Sequence, residues 1–181
     1  MSTTAPGQVR RARPADAAGI TVVHVRSWQG AYHGLLPQDY LDRLDPADPD
    51  RVEWRRRDLE QAGWTAGGTL VAVSDSRVAG FAHTGPARDD DAASPARAGE
   101  VYAIYVLPEA WGTGLGRELM AAAAGELAAA GFASATLWVL DSNARARRFY
   151  ELAGWTADGS SKQADVAGAT VTEVRYRRAL P

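Results

Sequence analysis

The chain has 181 residues, which is enough for one well-buried core and short for two. A net charge of -2, without a basic cluster beyond short arginine runs, gives no indication of nucleic-acid binding. No cysteine is present, so disulfides, thiolate metal sites and a cysteine nucleophile are excluded.

The first residues, MSTTAPGQVRRARP, lack the apolar core of a signal peptide, and no apolar run is long enough to cross a bilayer. We therefore expect a short disordered lead-in over 1–7 and a cytoplasmic protein. Neither a membrane nor a nucleic-acid partner is expected.

One strand and three helices are predicted in the first third of the chain. Residues 9–13 alternate like an edge strand, and Asp16 is the expected N-cap of a helix over 17–31. Two more helices are predicted over 38–44 and 51–63, separated by a run of aspartates and prolines.

The sequence pattern then changes to that of strands. Residues 69–73 and 78–84 are predicted as a hairpin, and 85–99 as a solvated loop. The three adjacent aspartates at 89–91 are interpreted as solvated charges, so no metal site is expected there.

A glycine-rich turn lies at the centre of the pattern. Residues 100–117, EVYAIYVLPEAWGTGLGR, predict a strand that stops at Pro108 and a turn that opens directly into a helix beginning near Leu115. Such a turn leaves several backbone N–H groups unpaired at the positive end of the helix. An anion, most often a phosphate, is therefore the expected ligand.

The remaining elements complete one domain. A strand over 133–140 is followed by a helix that Asn143 caps, and then by two antiparallel strands over 155–163 and 170–178. This order predicts a mixed α/β single domain, 1–181, around a central sheet.

Three explanations of the glycine turn compete. A P-loop would need Gly-Lys-Ser/Thr at the end of the turn, and no lysine is near. A Rossmann turn would need G-x-G-x-x-G early in the domain, whereas the spacing here is G-x-G-x-G, although Asp141 does end the next strand. A tight connection that binds no ligand is the third explanation, and the turn alone leaves the last two open.

A second segment distinguishes among these explanations. Residues 143–155, NARARRFYELAGW, follow the turn at a distance of one helix and one strand. Together the two segments resemble the paired signatures of the GNAT superfamily of N-acetyltransferases, a strand with (Q/R)-x-x-G-x-G/A and then N-x-x-A-x-x-F-Y-E-x-x-G-F/W. The resemblance is firm over about 70–155, the implied CoA-binding core, and loose before it. It implies a central, mixed, mostly antiparallel sheet that is splayed between its two middle strands and flanked by helices.

The resemblance implies acetyl-CoA as the cosubstrate. The strand backbone that would hold the pantetheine arm is that of Ile104, Tyr105 and Val106. The turn and helix N-terminus that would hold the pyrophosphate are Gly112, Thr113, Gly114, Leu115, Gly116 and Arg117. Trp111 stands where the family usually has Gln or Arg, so one side-chain donor is missing from this turn.

Asn143 and Tyr150 are seven residues apart and share one face of the second helix. In similar enzymes the Asn contacts the pantetheine region and the Tyr protonates the leaving CoA thiolate, a sensible transfer for a phenol. From the residues alone, Asn143 is an N-cap and Tyr150 an aromatic side chain packed beside Phe149.

The general base is the least defined part of the site. Glu100 matches one family location for a base, while Trp138 occupies the other and closes that route. A solvated carboxylate at the start of the strand is the alternative interpretation of Glu100, and His83 is a third candidate base.

The acceptor pocket of such enzymes implies wall residues here at Trp28, Tyr32 and His33, for which core packing is the alternative. The implied activity is direct transfer of an acetyl group from acetyl-CoA to a primary amine of a small molecule or a protein. A non-catalytic acyl-CoA-binding or sensing module is the main alternative, and a dinucleotide-dependent oxidoreductase a further one. The final strands offer an edge for a homodimer.

Overall fold

Seven strands form one sheet in the computed structural model, which describes residues 8–61, 66–89 and 98–181. The strand order is β1-β2-β3-β4-β5-β7-β6. The strands are β1 (Gln8–Arg11), β2 (Gly68–Ser74), β3 (Arg77–Pro86), β4 (Ala98–Val106), β5 (Ser134–Leu140), β6 (Thr156–Val166) and β7 (Ala169–Ala179). The helices are α1 (Ala17–Ala31), α2 (Gln38–Asp42), α3 (Pro49–Gln61), α4 (Leu115–Ala129) and α5 (Ala144–Leu152), with 3-10 turns at Pro14–Asp16 and Pro108–Ala110.

The two middle strands, β4 and β5, separate soon after they meet. All neighbouring strands are antiparallel except this pair, which is parallel because α4 carries the chain across the sheet between them. Only residues 98–100 of β4 pair with residues 134–136 of β5. Beyond Glu100 the strands diverge, so one edge of β4 is left without a neighbouring strand. The expected mixed, mostly antiparallel and splayed sheet is confirmed.

The two faces of the sheet are covered by different helices. On β5, Leu137 and Val139 pack in one apolar cluster with Leu127 of α4. The next residue, Leu140, points to the opposite face and packs with Leu36 and Leu41 near α2. The splay between β4 and β5 is therefore open toward the α4–α5 face and toward the α1–α2 face.

Most predicted elements are present with shifted ends. The 85–99 loop was too long in the prediction, since β3 continues to Pro86 and β4 begins at Ala98, where the two strands still pair. Residues 90–97, 62–65 and the predicted lead-in 1–7 lie outside the described part of the chain. Asp16 precedes α1 as expected, but its carboxylate accepts from the Arg13 N–H and pairs with Arg10 instead of capping that helix. Of the helices in the described ranges, none has the length and apolar character that crossing a membrane requires.

Candidate active site

A cavity of about 890 Å³ fills the splay between β4 and β5. Its walls come from β4 and β5, from α1, from the glycine turn and the start of α5, and from the β6–β7 hairpin. Among the residues predicted for the site, those that line it are Trp28, Tyr32, Glu100, Ile104, Tyr105, Val106, Gly112, Thr113, Gly114, Gly116, Arg117, Asn143 and Tyr150.

The glycine turn has the geometry of an anion cradle. Gly112 and Gly114 have φ angles of 78° and 95°, a left-handed conformation that side chains with a Cβ rarely adopt. Gly114 is the N-cap of α4, and its carbonyl accepts from the N–H groups of Arg117 and Glu118. Within the described ranges, the N–H groups of Gly114 and Gly116 have no acceptor. They lie at the positive end of α4. The N–H groups and the helix dipole there can compensate the negative charge of a phosphate.

Leu115 contributes to this turn through its backbone alone. Its side chain is 6% exposed and packs in the core with Leu119. It is therefore the one predicted cradle residue whose side chain does not line the cavity.

Arg145 is a cradle residue that the sequence pattern did not indicate. Its guanidinium lies 3.2 Å from the centroid of the Trp111 ring, and both residues line the cavity beside the glycine turn. Burial lowers the pKa of Arg145, but a guanidinium keeps its charge in proteins. Among the described residues it has no carboxylate partner, so its charge is available to a phosphate.

The free edge of β4 presents the backbone of alternate residues to the cavity. Leu107 donates its N–H to Ala79 on β3, so the polar groups of Val106 and Ile104 point away from β3 and into the splay. The Val106 carbonyl already accepts from Ser27 Oγ at 3.0 Å and from Trp111 Nε1 at 2.8 Å. An extended ligand would therefore find the N–H of Val106 and both backbone groups of Ile104.

Asn143 and Tyr150 both reach the cavity from α5. Asn143 caps the helix, its Oδ1 accepting from the Ala146 N–H at 3.0 Å. Tyr150 is 9% exposed. Burial is the main cause that raises its pKa well above the ordinary value, and the nearby Tyr105 hydroxyl adds to this effect. No described residue hydrogen-bonds its hydroxyl, which therefore stays protonated at neutral pH and can donate a proton to a ligand.

Glu100 lies at the point where the two strands part, and it is not the solvated carboxylate that the alternative interpretation expected. Its side chain is buried, with 1% of the residue exposed. Arg88 donates its backbone N–H to Oε2 at 3.0 Å and its Nη2 to Oε1 at 2.5 Å. Both oxygens are thus engaged by one residue, an arrangement that stabilises the β3–β4 connection and leaves little room for a proton from a substrate.

The other predicted polar residues are held elsewhere. His83 does not line the cavity; its ring bonds Thr69 Oγ1 at 2.8 Å, and burial lowers its pKa. His33 does not line the cavity either; it is exposed after the end of α1, where its Nδ1 lies 2.8 Å from the Gln38 side-chain oxygen.

The α1–α2 face of the cavity is an aromatic chamber. Trp28 of α1 and Tyr32, which caps the end of that helix, are in edge contact, 5.1 Å between ring centroids, and form one wall. Trp138 of β5 stands on the other side with its Nε1 donating to Asp89 at 2.9 Å. Glu173 of β7 and Lys162 of β6, which the sequence pattern did not single out, complete that wall.

No metal site is found among the described residues, in which no cluster of three or more His, Asp or Glu has a suitable arrangement. Asp89, one of the three adjacent aspartates, instead pairs with Arg175 at 3.2 Å. Asp90 and Asp91 lie outside the described ranges.

Comparison with known proteins agrees with this geometry. The model of the acetyltransferase (GNAT) family matches residues 28–155. The uncharacterized N-acetyltransferase YuaI of Bacillus subtilis is 38% identical over 136 residues, which are 75% of this chain and 72% of that protein.

Solved structures share the fold at low sequence identity. YncA from Salmonella typhimurium, solved with its cofactor acetyl-CoA, is 22% identical with a TM-score of 0.69, over 99% of this chain and 95% of that one. The PaiA N-acetyltransferase of Thermoplasma acidophilum, in complex with coenzyme A, is 19% identical with a TM-score of 0.66 over 99% of both chains. The family match, covering more than half of the sequence, and the splayed sheet with its glycine turn lead to one conclusion: the chain belongs to the GNAT family of acetyltransferases.

Proposed function

We propose that the chain moves an acetyl group from acetyl-CoA to a primary amine of a small molecule or a protein by direct transfer. The observation that carries the proposal is the continuous cavity through the β4–β5 splay, with the anion cradle on one side and the aromatic chamber on the other. A thioester and an amine entering from opposite faces of the sheet would meet beside Tyr150. Direct transfer is favoured because the chain has no cysteine to accept the acetyl group.

The residues of the cradle fit acetyl-CoA. The N–H groups of Gly114 and Gly116, with the guanidinium of Arg145, would hold the diphosphate. Ile104 and the Val106 N–H would hold the pantetheine arm as a neighbouring strand holds its partner. The bound cosubstrate would supply an activated acyl group as a thioester.

Tyr150 would donate its hydroxyl proton to the sulfur as the C–S bond breaks. Its raised pKa keeps the hydroxyl protonated, so it can donate a hydrogen bond to the negative charge that develops on the sulfur and pass its proton as the leaving group departs. Asn143, whose Oδ1 is occupied by the helix cap, would contribute its side-chain N–H donors to the same region of the cavity.

The competing function is a module that binds acyl-CoA without turnover. The engagement of both Glu100 oxygens by Arg88 favours it, since the base predicted from the sequence is not free. Cytoplasmic location, the absence of membrane and nucleic-acid partners, and a homodimer stay predictions.

Two measurements test the proposal. Calorimetry with acetyl-CoA, CoA and NADH is expected to show binding of the first two, and a preference for NADH would contradict it. A thiol-release assay over arylalkylamines, alkylamines, polyamines, amino acids and peptides with a free N-terminus is expected to show turnover with at least one of them. Binding of acetyl-CoA without release of thiol across the whole panel would instead support the non-catalytic module.

A further inference from the structure

We infer that Glu173 on β7 binds the ammonium group of the acceptor amine and takes its proton. This inference rests on the acetyltransferase function proposed above. Glu173 lies on a strand outside the glycine-turn and α5 segments. It takes the role of general base that the resemblance implied for Glu100.

The register of the sheet places Glu173 on the acceptor side of the cavity. Its Cα lies opposite Leu140 on β5 and opposite Lys162 on β6. Residues directly opposite each other on neighbouring strands point to the same face. Leu140 packs with Leu36 near α2, so Glu173 is on the α1–α2 face and lines the cavity there.

The carboxylate of Glu173 is the freer of the two that line the cavity. Its side chain is 22% exposed, and its ion pair with Lys162 Nζ is 3.6 Å long, too long for a hydrogen bond. No hydrogen bond to this carboxylate is found among the described residues. Glu100, in contrast, is buried and accepts three hydrogen bonds from Arg88.

The charge of Glu173 acts on the aromatic wall across the chamber. Burial is the main cause that raises the pKa values of Tyr32 and Tyr105, and the negative charge of Glu173 adds to both. All three side chains line the same cavity, so the carboxylate shares the chamber with the two tyrosines. Among the described residues, the titratable groups on neighbouring elements that face it are Tyr32 at the end of α1, Tyr105 on β4 and Lys162 on β6.

The chamber already holds one ammonium in the position that an acceptor would take. Lys162 Nζ lies 3.9 Å from the centroid of the Trp138 ring while it pairs with Glu173. A cation at this position is attracted both by the negative charge of the carboxylate and by the face of the aromatic ring. Because the Lys162 side chain is 42% exposed, it can turn into solvent and leave this position to the ammonium of an acceptor.

With Glu173 as the base, both protons that leave the nitrogen are accounted for. Glu173 takes one proton from the ammonium and later releases it to solvent, so that the neutral nitrogen can form the C–N bond. As the C–S bond breaks, Tyr150 gives its hydroxyl proton to the sulfur and is reprotonated by the second proton that leaves the nitrogen. The products are the N-acetyl amine, CoA with a free thiol and one proton.

The test is Glu173→Gln, assayed with whichever amine of the panel wild-type protein acetylates best. We expect kcat/KM at pH 7 to fall at least about 100-fold, the size of a general-base contribution. Activity should recover toward alkaline pH, where the amine loses its proton in solution and no longer needs Glu173. Calorimetry of the same amine with the CoA complex should show weaker binding in the variant. Glu173→Asp should restore part of the activity and the acid limb of the pH profile.

Controls distinguish loss of the Glu173 carboxylate from misfolding of the variant and from failure of the proposed function. Acetyl-CoA affinity and thermal unfolding of Glu173→Gln should match wild type, as should all kinetics of Asp39→Asn, which removes an exposed carboxylate on α2. A Glu173→Gln variant that keeps kcat/KM within about threefold across the pH range would overturn the inference while leaving the acetyltransferase intact. The proposed function itself fails if wild-type protein binds acetyl-CoA and acetylates none of the amines, or if it prefers NADH.

Discussion

Replacing Gly116 by alanine tests whether the glycine turn holds a phosphate, because the added methyl alters the cavity without straining the backbone. A Cβ at Gly116 would lie 3.5 Å from Phe149 Cε2 and 3.7 Å from Val106 Cγ2, which are ordinary van der Waals distances. The residue is already helical with a negative φ, so stability should be unchanged or higher by up to about 1 kcal/mol.

The same methyl would stand on the cavity wall at the N-terminus of α4, where a diphosphate must approach the backbone closely. Overpacking of a close contact costs about 1–3 kcal/mol, which corresponds to a rise of roughly 5- to 150-fold in the Kd for acetyl-CoA. Calorimetry measures the affinity, and urea unfolding measures the stability. Unchanged affinity for acetyl-CoA in a folded Gly116→Ala protein would refute the assignment of the cradle.

Two other glycines serve as controls for this experiment. Gly114→Ala places a Cβ at a φ of 95° and should lower both stability, by about 1–2 kcal/mol, and acetyl-CoA affinity. Gly125 lies later in the same helix, exposed and with open space around it, so Gly125→Ala should raise stability slightly and leave affinity unchanged.

Three further outcomes are expected. Tyr150→Phe should lower kcat while acetyl-CoA affinity stays nearly unchanged, whereas an equal loss of both would indicate a packing role. Arg145→Ala should raise the Kd for acetyl-CoA about tenfold by calorimetry, and this difference should shrink at high salt. Burial lowers the pKa of His24 to about 4, so as the pH falls below about 6.5 this histidine becomes protonated in the unfolded chain while it stays neutral in the folded chain. Because of this residue, the free energy of unfolding should fall by ~2 kcal/mol between pH 7 and pH 5. In urea unfolding, the His24→Phe variant should lose less stability over the same pH range, by about that amount.

The parts of the site that could be predicted from the sequence depend on local spacing. The glycine turn is a strand end, two left-handed residues and a helix start within a few positions. Asn143 and Tyr150 lie on one face of a short helix, so their seven-residue spacing suffices to bring both to the cavity. In both segments the chain neighbours are also the spatial neighbours.

The contacts of Glu100 could not be predicted from the sequence, because its partner lies across a loop. Arg88 follows β3 by two residues, and only the β3–β4 register brings its backbone and side chain to the same carboxylate. Glu173 was missed for a related reason. Its role depends on β7 inserting between β5 and β6, an order that no spacing along the chain reveals.

Trp111 shows how a departure from a sequence pattern can be compensated in space. The resemblance leads one to expect Gln or Arg at this position, and a tryptophan supplies no donor to a phosphate from its ring face. The structure uses the indole in two other ways: its Nε1 donates to Val106 at 2.8 Å, and its face holds Arg145. The guanidinium of Arg145 on α5 thereby lies beside a turn whose position 111 supplies no donor to a phosphate. Since the ring fixes the cation by contact instead of by an ion pair, the charge is not neutralised before a phosphate binds. Replacing Trp111 alone would therefore be expected to weaken acetyl-CoA binding through Arg145, and the effect should vanish in an Arg145→Ala background.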